Sequence, residues 1–248
     1  MADNFLIDWD KTGERYYENG VDHGILFIYD PVGVEVGGKT YNYAHGVAWN
    51  GLTAVNHSPE GADANDTYAD NIKYISLRAA ETFGYTIEAL YSPAEFDECD
   101  GTIEAVPGVT VGQQQRKTFG FYHRSNVGTD TEGMEKYHKH HFIFGSTAAP
   151  SEHNYETVND SPEPASLSWE VDTIPVNVGT LTIGGQQHEF KPTAKVTIDE
   201  SRLDANGMTK LNAILALLRG SKGETSASDV QGVMPLPADI ISMMAAQG

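Results

Sequence analysis

Residues 82–91 read Thr-Phe-Gly-Tyr-Thr-Ile-Glu-Ala-Leu-Tyr, and their apolar and polar side chains alternate as a half-buried β-strand requires. The apolar side chains fall on one face and leave Thr86 and Glu88 on the other. Residues 166–173 and 193–199 repeat the pattern, again with polar residues on the second face that are small or acidic apart from Lys195. These three stretches predict strands that bury one face and expose an acidic one.

Further strands are predicted where aromatic and β-branched residues are dense. The chain's 25 glycines and 11 prolines are scattered rather than gathered in one linker, which is typical of short strands joined by turns. We therefore expect a mainly β chain with a sandwich or barrel-like sheet. The additional strands are expected at 23–29, 47–55, 72–79, 117–124 and 137–144.

Two short helices and an apolar tail complete the expected elements. Ser92-Pro93-Ala94-Glu95 predicts a helix start, with the helix ending near Gly101. Leucines at helical spacing predict a second helix, with Asn206 as a possible cap and Arg219-Gly220 at its end. A Gly/Ser-rich connector over 221–232 leads to a tail that begins at Pro235. Such a tail needs a surface to cover, either on its own chain or on a neighbour.

Residues 30–70 are rich in glycine and end in a polar run. Part of this segment is expected to form a long, projecting loop, which in a compact domain usually serves a partner or a function. The pair Gly184-Gly185, between Ile183 and Gln186, predicts a hairpin turn rather than a nucleotide-binding loop.

The chain is strongly acidic: its 248 residues carry 16 Lys and Arg against 35 Asp and Glu, a net charge of −19. This balance disfavours a protein that grips nucleic-acid phosphates or docks on an anionic membrane. The single cysteine, Cys99, cannot form an intramolecular disulfide, which fits folding in a reducing cytoplasm. The first residues carry acid where a signal peptide carries base, so we expect no export.

The histidines at 138, 140 and 141 form the most suggestive chemical cluster, because on a strand His138 and His140 share a face and imidazole is a common metal ligand. No third ligand motif accompanies them, so we expect a histidine-bearing strand without a metal. Cys99 lies among four acidic residues that should suppress its thiolate, and no nucleophile motif is present. We therefore expect no enzyme and no cofactor.

Three other interpretations stay open. Glu170 and Asp172 could act as a glycosidase-like carboxylate pair, although such pairs are common in so acidic a chain. The run from Asp63 to Asp66 offers oxygen donors for calcium but lacks the rest of an EF-hand. Exposed aromatic residues could stack on sugars in a carbohydrate-binding sandwich, with candidates Tyr16, Tyr17, Trp49, Trp9 and Trp169.

The chain resembles the major tail protein, or tail tube protein, of long-tailed bacteriophages. The likeness covers about four-fifths of the chain as a series of modest motifs in the expected order. These are His23-Gly24-Ile25-Leu26-Phe27, Gly46-Val47-Ala48-Trp49-Asn50-Gly51, Ile72-Lys73-Tyr74, residues 82–89, Ser92-Pro93-Ala94-Glu95-Phe96, Lys117-Thr118-Phe119-Gly120-Phe121, Ser161-Pro162-Glu163 with Ser168-Trp169-Glu170-Val171, and Pro235-Leu236-Pro237.

The resemblance implies a β-sandwich subunit that forms hexameric rings, which stack into a non-contractile tail tube for DNA ejection. Implied partners are further copies of the chain, the tape measure, tail terminator and distal tail proteins, and DNA passing without sequence-specific binding. The implied location is the virion tail, assembled in the host cytoplasm. Carboxylates on the strand faces would then repel DNA phosphates, and we expect some of these to face the lumen: Glu88, Glu170, Asp172 and Asp199.

The resemblance also implies a division of the chain. Residues 1–220 would form the tube domain, with an intersubunit loop inside 30–70, and residues 221–248 would form the linker and tail. Some relatives add an immunoglobulin-like domain, and we expect none here. Intersubunit contacts are expected at Trp49, His57, Asp63, Asp66, Leu236 and Ile240.

Overall fold

A computed structural model describes residues 11–61, 63–131, 133–151, 157, 164–223 and 229–246. It is mainly β with a few short helices, which confirms the expected fold class. The strands are β1 (Tyr16–Val36), β2 (Lys39–Trp49), β3 (Leu52–Gly61), β4 (Ala64–Ala69), β5 (Ile72–Arg78), β6 (Glu81–Ala89), β7 (Ile103–Val106), β8 (Val109–Val111), β9 (Phe119–Thr129), β10 (Gly133–Ala148), β11 (Leu167–Thr173), β12 (Gly179–Ile183), β13 (Gln186–Phe190) and β14 (Lys195–Asp199).

Eight of these strands form one antiparallel sheet. Its order is β2-β1-β9-β10-β11-β6-β3, and β14 pairs with β10 on the same side as β11. Strands β2 and β3 end this path, and no ladder joins them within the described residues. The sheet is therefore open rather than a closed barrel.

The sheet folds over on itself at Gly145. Before this glycine β10 pairs with β14, and after it β10 pairs with β11 from Ser146 to Ala148. Gly145 has a φ of +63°, and a Cβ here would overlap the carbonyl oxygen of Ile174. Only glycine meets both conditions without strain. The bend turns β11, β6 and β3 into a second layer that faces β1, β2 and β9.

The alternating strands bury side chains on both faces of the first layer. Leu26 of β1 points into the core between the two layers, where Trp49 packs edge to face with Trp169 at 5.5 Å between ring centroids. The next residue, Phe27, belongs to a second core on the opposite face. Two helices cover that second core: α2 (Ala205–Arg219) and α3 (Pro237–Ala245). The result has three layers: sheet, sheet and helices.

The helices follow the expected positions with small shifts. A 3₁₀ turn at Ala94–Phe96 runs into α1 (Asp97–Asp100) and ends at Gly101, whose φ is +81°. Helix α2 is capped by Asp204 rather than by Asn206, because the Asp204 carboxylate accepts from the Gly207 N–H at 2.7 Å. Each helix ends at the glycine that the sequence predicted for it, α1 at Gly101 and α2 at Gly220.

The expected loop within 30–70 is instead made of strands. Residues 30–61 lie in β1, β2 and β3, and a turn at Asn50-Gly51 splits the strand expected over 47–55. The element that projects is a two-stranded hairpin, β4–β5, inserted between β3 and β6. The expected turn at Gly184-Gly185 is confirmed, since it joins β12 to β13 with both glycines at positive φ.

The chain returns from α2 to α3 along its own sheet. The Met234 N–H donates to the Tyr43 carbonyl at 2.8 Å, and the Gly46 N–H donates to that of Gly232 at 3.0 Å. Helix α3 then packs on the second core, and Asp239 pairs with Lys39 of β2. The tail therefore covers its own subunit. Residues 224–228 of the connector and the 161–163 motif lie outside the described residues, as does Trp9.

Candidate functional site

Three of the four expected lumen carboxylates lie on one face of the second layer. Glu88 of β6 is opposite Ser168, and on β11 Glu170 and Asp172 alternate with buried apolar residues. All three side chains point away from the core, and Glu170 and Asp172 are exposed. Within the described part of the chain none of the three has an ion-pair partner, and Glu88 accepts one hydrogen bond from Asn56 at 3.1 Å.

A shallow groove of about 400 Å³ crosses this acidic face. Glu60 of β3 joins Glu170 and Asp172 in its lining, whereas Glu88 lies outside it, and no Lys, Arg or His side chain of the described residues contributes to it. The other lining residues include hydroxyl-bearing side chains, such as Ser58 and Thr86, and the apolar Phe83 and Val171. We define this surface, formed by Glu60, Glu88, Glu170 and Asp172, as the acidic face.

Asp199 does not belong to the acidic face. It ends β14, where it is opposite Lys139 of β10. Its carboxylate accepts from the N–H and hydroxyl of Ser201 at 3.0 and 2.6 Å, which caps a 3₁₀ turn. Lys139 and Arg202 lie 4.0 and 3.6 Å away. These contacts give Asp199 a local structural role at a site whose charge is partly neutralised.

The β4–β5 hairpin is an apolar projection. Asp66 holds its two strands together, since it accepts from Ser76 at 2.6 Å and pairs with Lys73 at 2.8 Å. These partners lower the pKa of Asp66. Asp63 is exposed at the base of the hairpin. The large apolar side chains of the hairpin reach solvent, with exposed fractions of 46 to 69%: Tyr68, Ile72, Tyr74, Ile75 and Leu77.

Trp49, expected to contact another subunit, is buried in its own. Its indole N–H donates to the Tyr91 carbonyl at 2.9 Å, and its ring packs against Phe96 and Phe121. A side chain enclosed in this way has no surface to offer a neighbour or a sugar. The carbohydrate-binding interpretation therefore loses Trp49, and Trp169 is 1% exposed, although Tyr16 and Tyr17 are exposed.

Leu236 and Ile240 also lie inside their own subunit. Ile240 is 1% exposed in the second core, and Leu236 packs against that core. Both were expected at an intersubunit contact. Burial of the tail against its own sheet removes Ile240 from any external surface, while Leu236 stays partly exposed.

His57, the remaining expected contact, belongs to a buried cluster that joins the two layers. It extends from β3 toward His123 of β9 and His141 of β10, with ring centroids 5.3 and 5.5 Å away. His123 and His141 stack at 4.6 Å. Lys195 of β14 completes the group, with its Nζ 2.8 Å from His57 Nδ1. We call these four residues the histidine cluster.

The hydrogen bonds define which nitrogens carry protons. Lys195 only donates, so His57 accepts at Nδ1 and donates from Nε2 to His123 Nε2 at 3.2 Å. His123 then carries its proton on Nδ1, a buried atom with no partner in the described structure. Ser125 donates to Glu18 at 2.7 Å and accepts from His141 Nε2 at 2.9 Å. These contacts require neutral rings at His57 and His123.

Burial is the main reason that the cluster resists protonation. It lowers the pKa of His57 to about 4, with the charge of Lys195 as the next cause. Burial, followed by the neighbouring imidazoles, lowers the pKa of His123 to about 2. For His141, burial and then Lys195 lower the pKa to about 3.

The run at 138–141 divides between two sites because successive strand residues face opposite ways. His138 and His140 share a face, as expected, and both contact Glu200 of the 3₁₀ turn at 3.0 and 2.9 Å. The Tyr122 hydroxyl lies 2.7 Å from His140 Nδ1. No group of three or more His, Cys, Asp or Glu side chains within the described ranges is arranged to hold a metal ion.

Cys99 is buried against the core of the sandwich. Burial, followed by the charge of Glu98, raises the pKa of its thiol to about 12. The expected suppression of the thiolate is thus confirmed, with desolvation rather than acidic neighbours as the main cause. In the described part of the chain, none of the helices is both long and apolar enough to cross a bilayer.

Comparison with known protein families and with curated proteins finds no match to this chain. Among solved structures, the chain is similar to Hcp1 from Flavobacterium johnsoniae, with a TM-score of 0.24 and 12% identity. That similarity covers 68% of this chain and 99% of the other. A TM-score of 0.24 does not establish a shared fold. The class is therefore defined by the described structure: a mainly β protein with a folded-over sheet and two helices on one face.

Proposed function

We propose that this chain is a structural subunit of a phage-type tail tube, in which copies associate into hexameric rings and the rings stack around a channel for DNA. The observation that carries the proposal is the pairing of two exposed surfaces on one layer, the acidic face and the apolar β4–β5 hairpin. One surface suits a channel wall that DNA passes, and the other suits contact with another copy.

The acidic face has the electrostatics of a wall that does not hold DNA. Glu88, Glu170 and Asp172 have no cation beside them in the described structure, so their charge is not neutralised locally. Phosphates within the Debye length, about 8 Å at physiological salt, would be repelled. A wall lined with Lys or Arg would instead bind phosphate and slow the passage of DNA.

The hairpin has the composition of an interface. Large apolar side chains that are exposed together usually mark a surface covered by a partner. Tyr74 is 69% exposed and Ile72 is 62% exposed, and both lie on β5. If this hairpin binds a different surface on the next copy, the contact is head to tail, and such contacts polymerise until they are capped.

This role assigns no catalytic step and no cofactor to the chain. The proposed partners are other copies of the chain, the tape measure, tail terminator and distal tail proteins, and DNA that is not bound in a sequence-specific way. The proposed location is the virion tail after assembly in the host cytoplasm.

Electron microscopy of negatively stained protein at high concentration tests the proposal. We expect rings or tubes of uniform bore from the natural sequence. The double variant Ile72→Ser/Tyr74→Ser should fold normally by circular dichroism but lose the tubes, whereas Val32→Ser, which removes a single exposed apolar residue from β1, should keep them. Monomers alone at all concentrations would contradict the proposal.

Charge reversal tests the channel assignment separately. Tubes of Glu170→Lys/Asp172→Lys should retain linear DNA in a gel-shift assay, while natural tubes and a Glu189→Lys control on the exposed β13 strand should not. In virions, the same double variant should slow DNA ejection. Normal ejection and no retention would place these carboxylates outside the channel.

A further inference from the structure

The histidine cluster lies beside a seam in the folded-over sheet. Strand β3 pairs with β6 on one edge, and no ladder joins its other edge to β1 within the described residues. A cavity of about 320 Å³ occupies this seam, lined by residues 18–21 of β1 and 53–57 of β3. The pairing of β1 with β9 is also interrupted between Asn19 and Asp22. Backbone hydrogen bonds therefore do not close the layers here.

Side chains of the histidine cluster close the seam instead. His57 is the member on β3, and its two ring nitrogens reach Lys195 and His123 on the opposite layer. Its ring also packs against Phe83 of β6 at 5.3 Å. Both ring nitrogens of His57 are engaged in hydrogen bonds, and Nδ1 must accept. His57 therefore holds the β3 edge only while its ring is neutral.

Protonation of the cluster breaks these contacts. A proton on His57 Nδ1 would face the Lys195 ammonium, and a proton on His123 Nε2 would face the His57 N–H. A charged His141 would add a third cation beside Lys195. The first two steps replace a donor–acceptor pair with two donors, and all three add positive charge a few ångströms from the Lys195 ammonium or from another ring of the cluster.

The surrounding charges compensate only in part. Among the described residues, Glu18 of β1 is the carboxylate that faces the cluster, 3.7 Å from His141 Nε2, and it already pairs with Lys139 of β10 at 2.6 Å. Of these groups, the Glu18 carboxylate is the single negative charge, and it faces the ammonium groups of Lys139 and Lys195 as well as three imidazoles. The other histidine pair differs, because Glu200 provides a carboxylate for both His138 and His140.

We propose that His57, His123 and His141 form an acid-sensitive latch, and that their protonation opens the seam between β1 and β3 while the helix-covered core stays closed. This inference does not depend on the proposed function. It predicts local opening, because the second core contains none of the three latch residues and is held by apolar packing under α2.

Hydrogen exchange read by mass spectrometry tests the latch at pH 7, 6 and 5, with labelling times scaled to the intrinsic exchange rate. The opening constant of segments 16–22 and 52–61 should rise below pH 6.5 by about tenfold per pH unit for each histidine released. Segment 205–219, in the core under the helices, exchanges by global unfolding and serves as the internal reference: at each pH its opening constant should stay below that of the two seam segments.

Substitution separates the latch from general acid sensitivity. The His57→Gln variant keeps an amide that can donate and accept, but it cannot titrate, so the pH dependence should fall by one proton, about tenfold per unit. His188→Gln, at an exposed position on β13, should leave the dependence unchanged. If His57→Gln does not fold, the comparison of the two seam segments with segment 205–219 in the natural chain still tests the latch.

Two results would overturn the latch. One is exchange in segments 16–22 and 52–61 that stays constant from pH 7 to 5 after correction. The other is an opening constant of segment 205–219 that equals that of the two seam segments at every pH, because that result indicates global unfolding rather than opening of the seam. An unchanged pH dependence in His57→Gln would likewise remove His57 from the latch.

Discussion

Glu200 lies 2.9 Å from His140, with its Oε1 facing the imidazole Nε2. The carboxylate is 14% exposed, and its second oxygen accepts from the backbone N–H and the imidazole Nδ1 of His138 at 2.9 and 3.0 Å. Burial by itself would raise the pKa of Glu200, but the hydrogen bonds from His140 and His138 outweigh it, and the pKa is lowered. Glu200 thus ties the 3₁₀ turn to β10.

Replacing this carboxylate should destabilise the chain. In Glu200→Gln, an amide N–H2 would face a ring N–H, so we expect a loss of about 1 to 3 kcal/mol in the free energy of unfolding. Glu189→Gln on the exposed β13 strand is the matched control and should change it by less than about 0.5 kcal/mol. Urea unfolding at pH 7, followed by tryptophan fluorescence, measures both. Equal effects would show that the Glu200 contacts contribute nothing to stability.

The bend at Gly145 yields a second prediction. Alanine there must adopt a φ of +63° and place its Cβ against the Ile174 carbonyl oxygen, so Gly145→Ala should cost about 3 kcal/mol or more. Gly184→Ala has a similar φ of +59° but meets nothing within 4 Å, and it should cost about 1 to 2 kcal/mol. Thermal unfolding of the pair separates overlap from backbone strain. A similar loss in both variants would mean that the bend tolerates a side chain.

The strands could be predicted from the sequence because their signal is local. In residues 82–91 each second side chain is buried, and the same alternation correctly placed Trp169 in the core and Glu170 outside. The pairing of β6 with both β3 and β11 could not be predicted, since β6 and β11 are about 80 residues apart in the chain. The acidic face exists only after this pairing brings Glu88 beside β11.

The histidine cluster shows the same limit. Strand alternation correctly put His138 and His140 on one face, but nothing local to residues 138–141 points to His57 or Lys195. The β4–β5 hairpin differs, because its first half lies in the polar end of residues 30–70, where a loop was predicted. Cross-strand contacts such as Asp66 with Ser76 hold it as a hairpin in spite of that composition. The strand predicted at 72–79 was the feature of the sequence that indicated the hairpin, because it corresponds to β5.

The buried position of Ile240 yields a third prediction. Ile240→Ala should cost about 2 to 4 kcal/mol, because it leaves a cavity in the second core. Ile174→Ala removes the same atoms from a side chain that is 71% exposed and should change stability by less than about 0.5 kcal/mol. Deletion of residues 231–248 should give an unfolded product. If Ile240→Ala instead kept full stability and lost only assembly, the side chain would act between subunits.

The pH dependence of stability follows from the histidine cluster, and its sign is defined by the lowered pKa values. The unfolded chain, with histidine pKa values near 6.5, binds protons that the folded chain refuses until the pH reaches about 4 for His57 and about 3 for His141. The free energy of unfolding should therefore be constant above about pH 7 and fall as the pH drops below 6.5, by about 1.4 kcal/mol per pH unit for each proton taken up.

Urea unfolding at half-unit intervals from pH 7.5 to 4.5 measures this slope. Burial also lowers the pKa of His140, so the chain should take up between one and four protons on unfolding at pH 5, whereas the His57→Gln variant should take up one fewer than the natural chain. Glu200 acts in a lower window, because its pKa is lowered and its contribution is lost only as the pH falls below its unfolded value near 4.5. A loss of stability that begins only below pH 4.5 would therefore trace acid sensitivity to the carboxylates, and the three histidines would have to be charged or exposed at neutral pH.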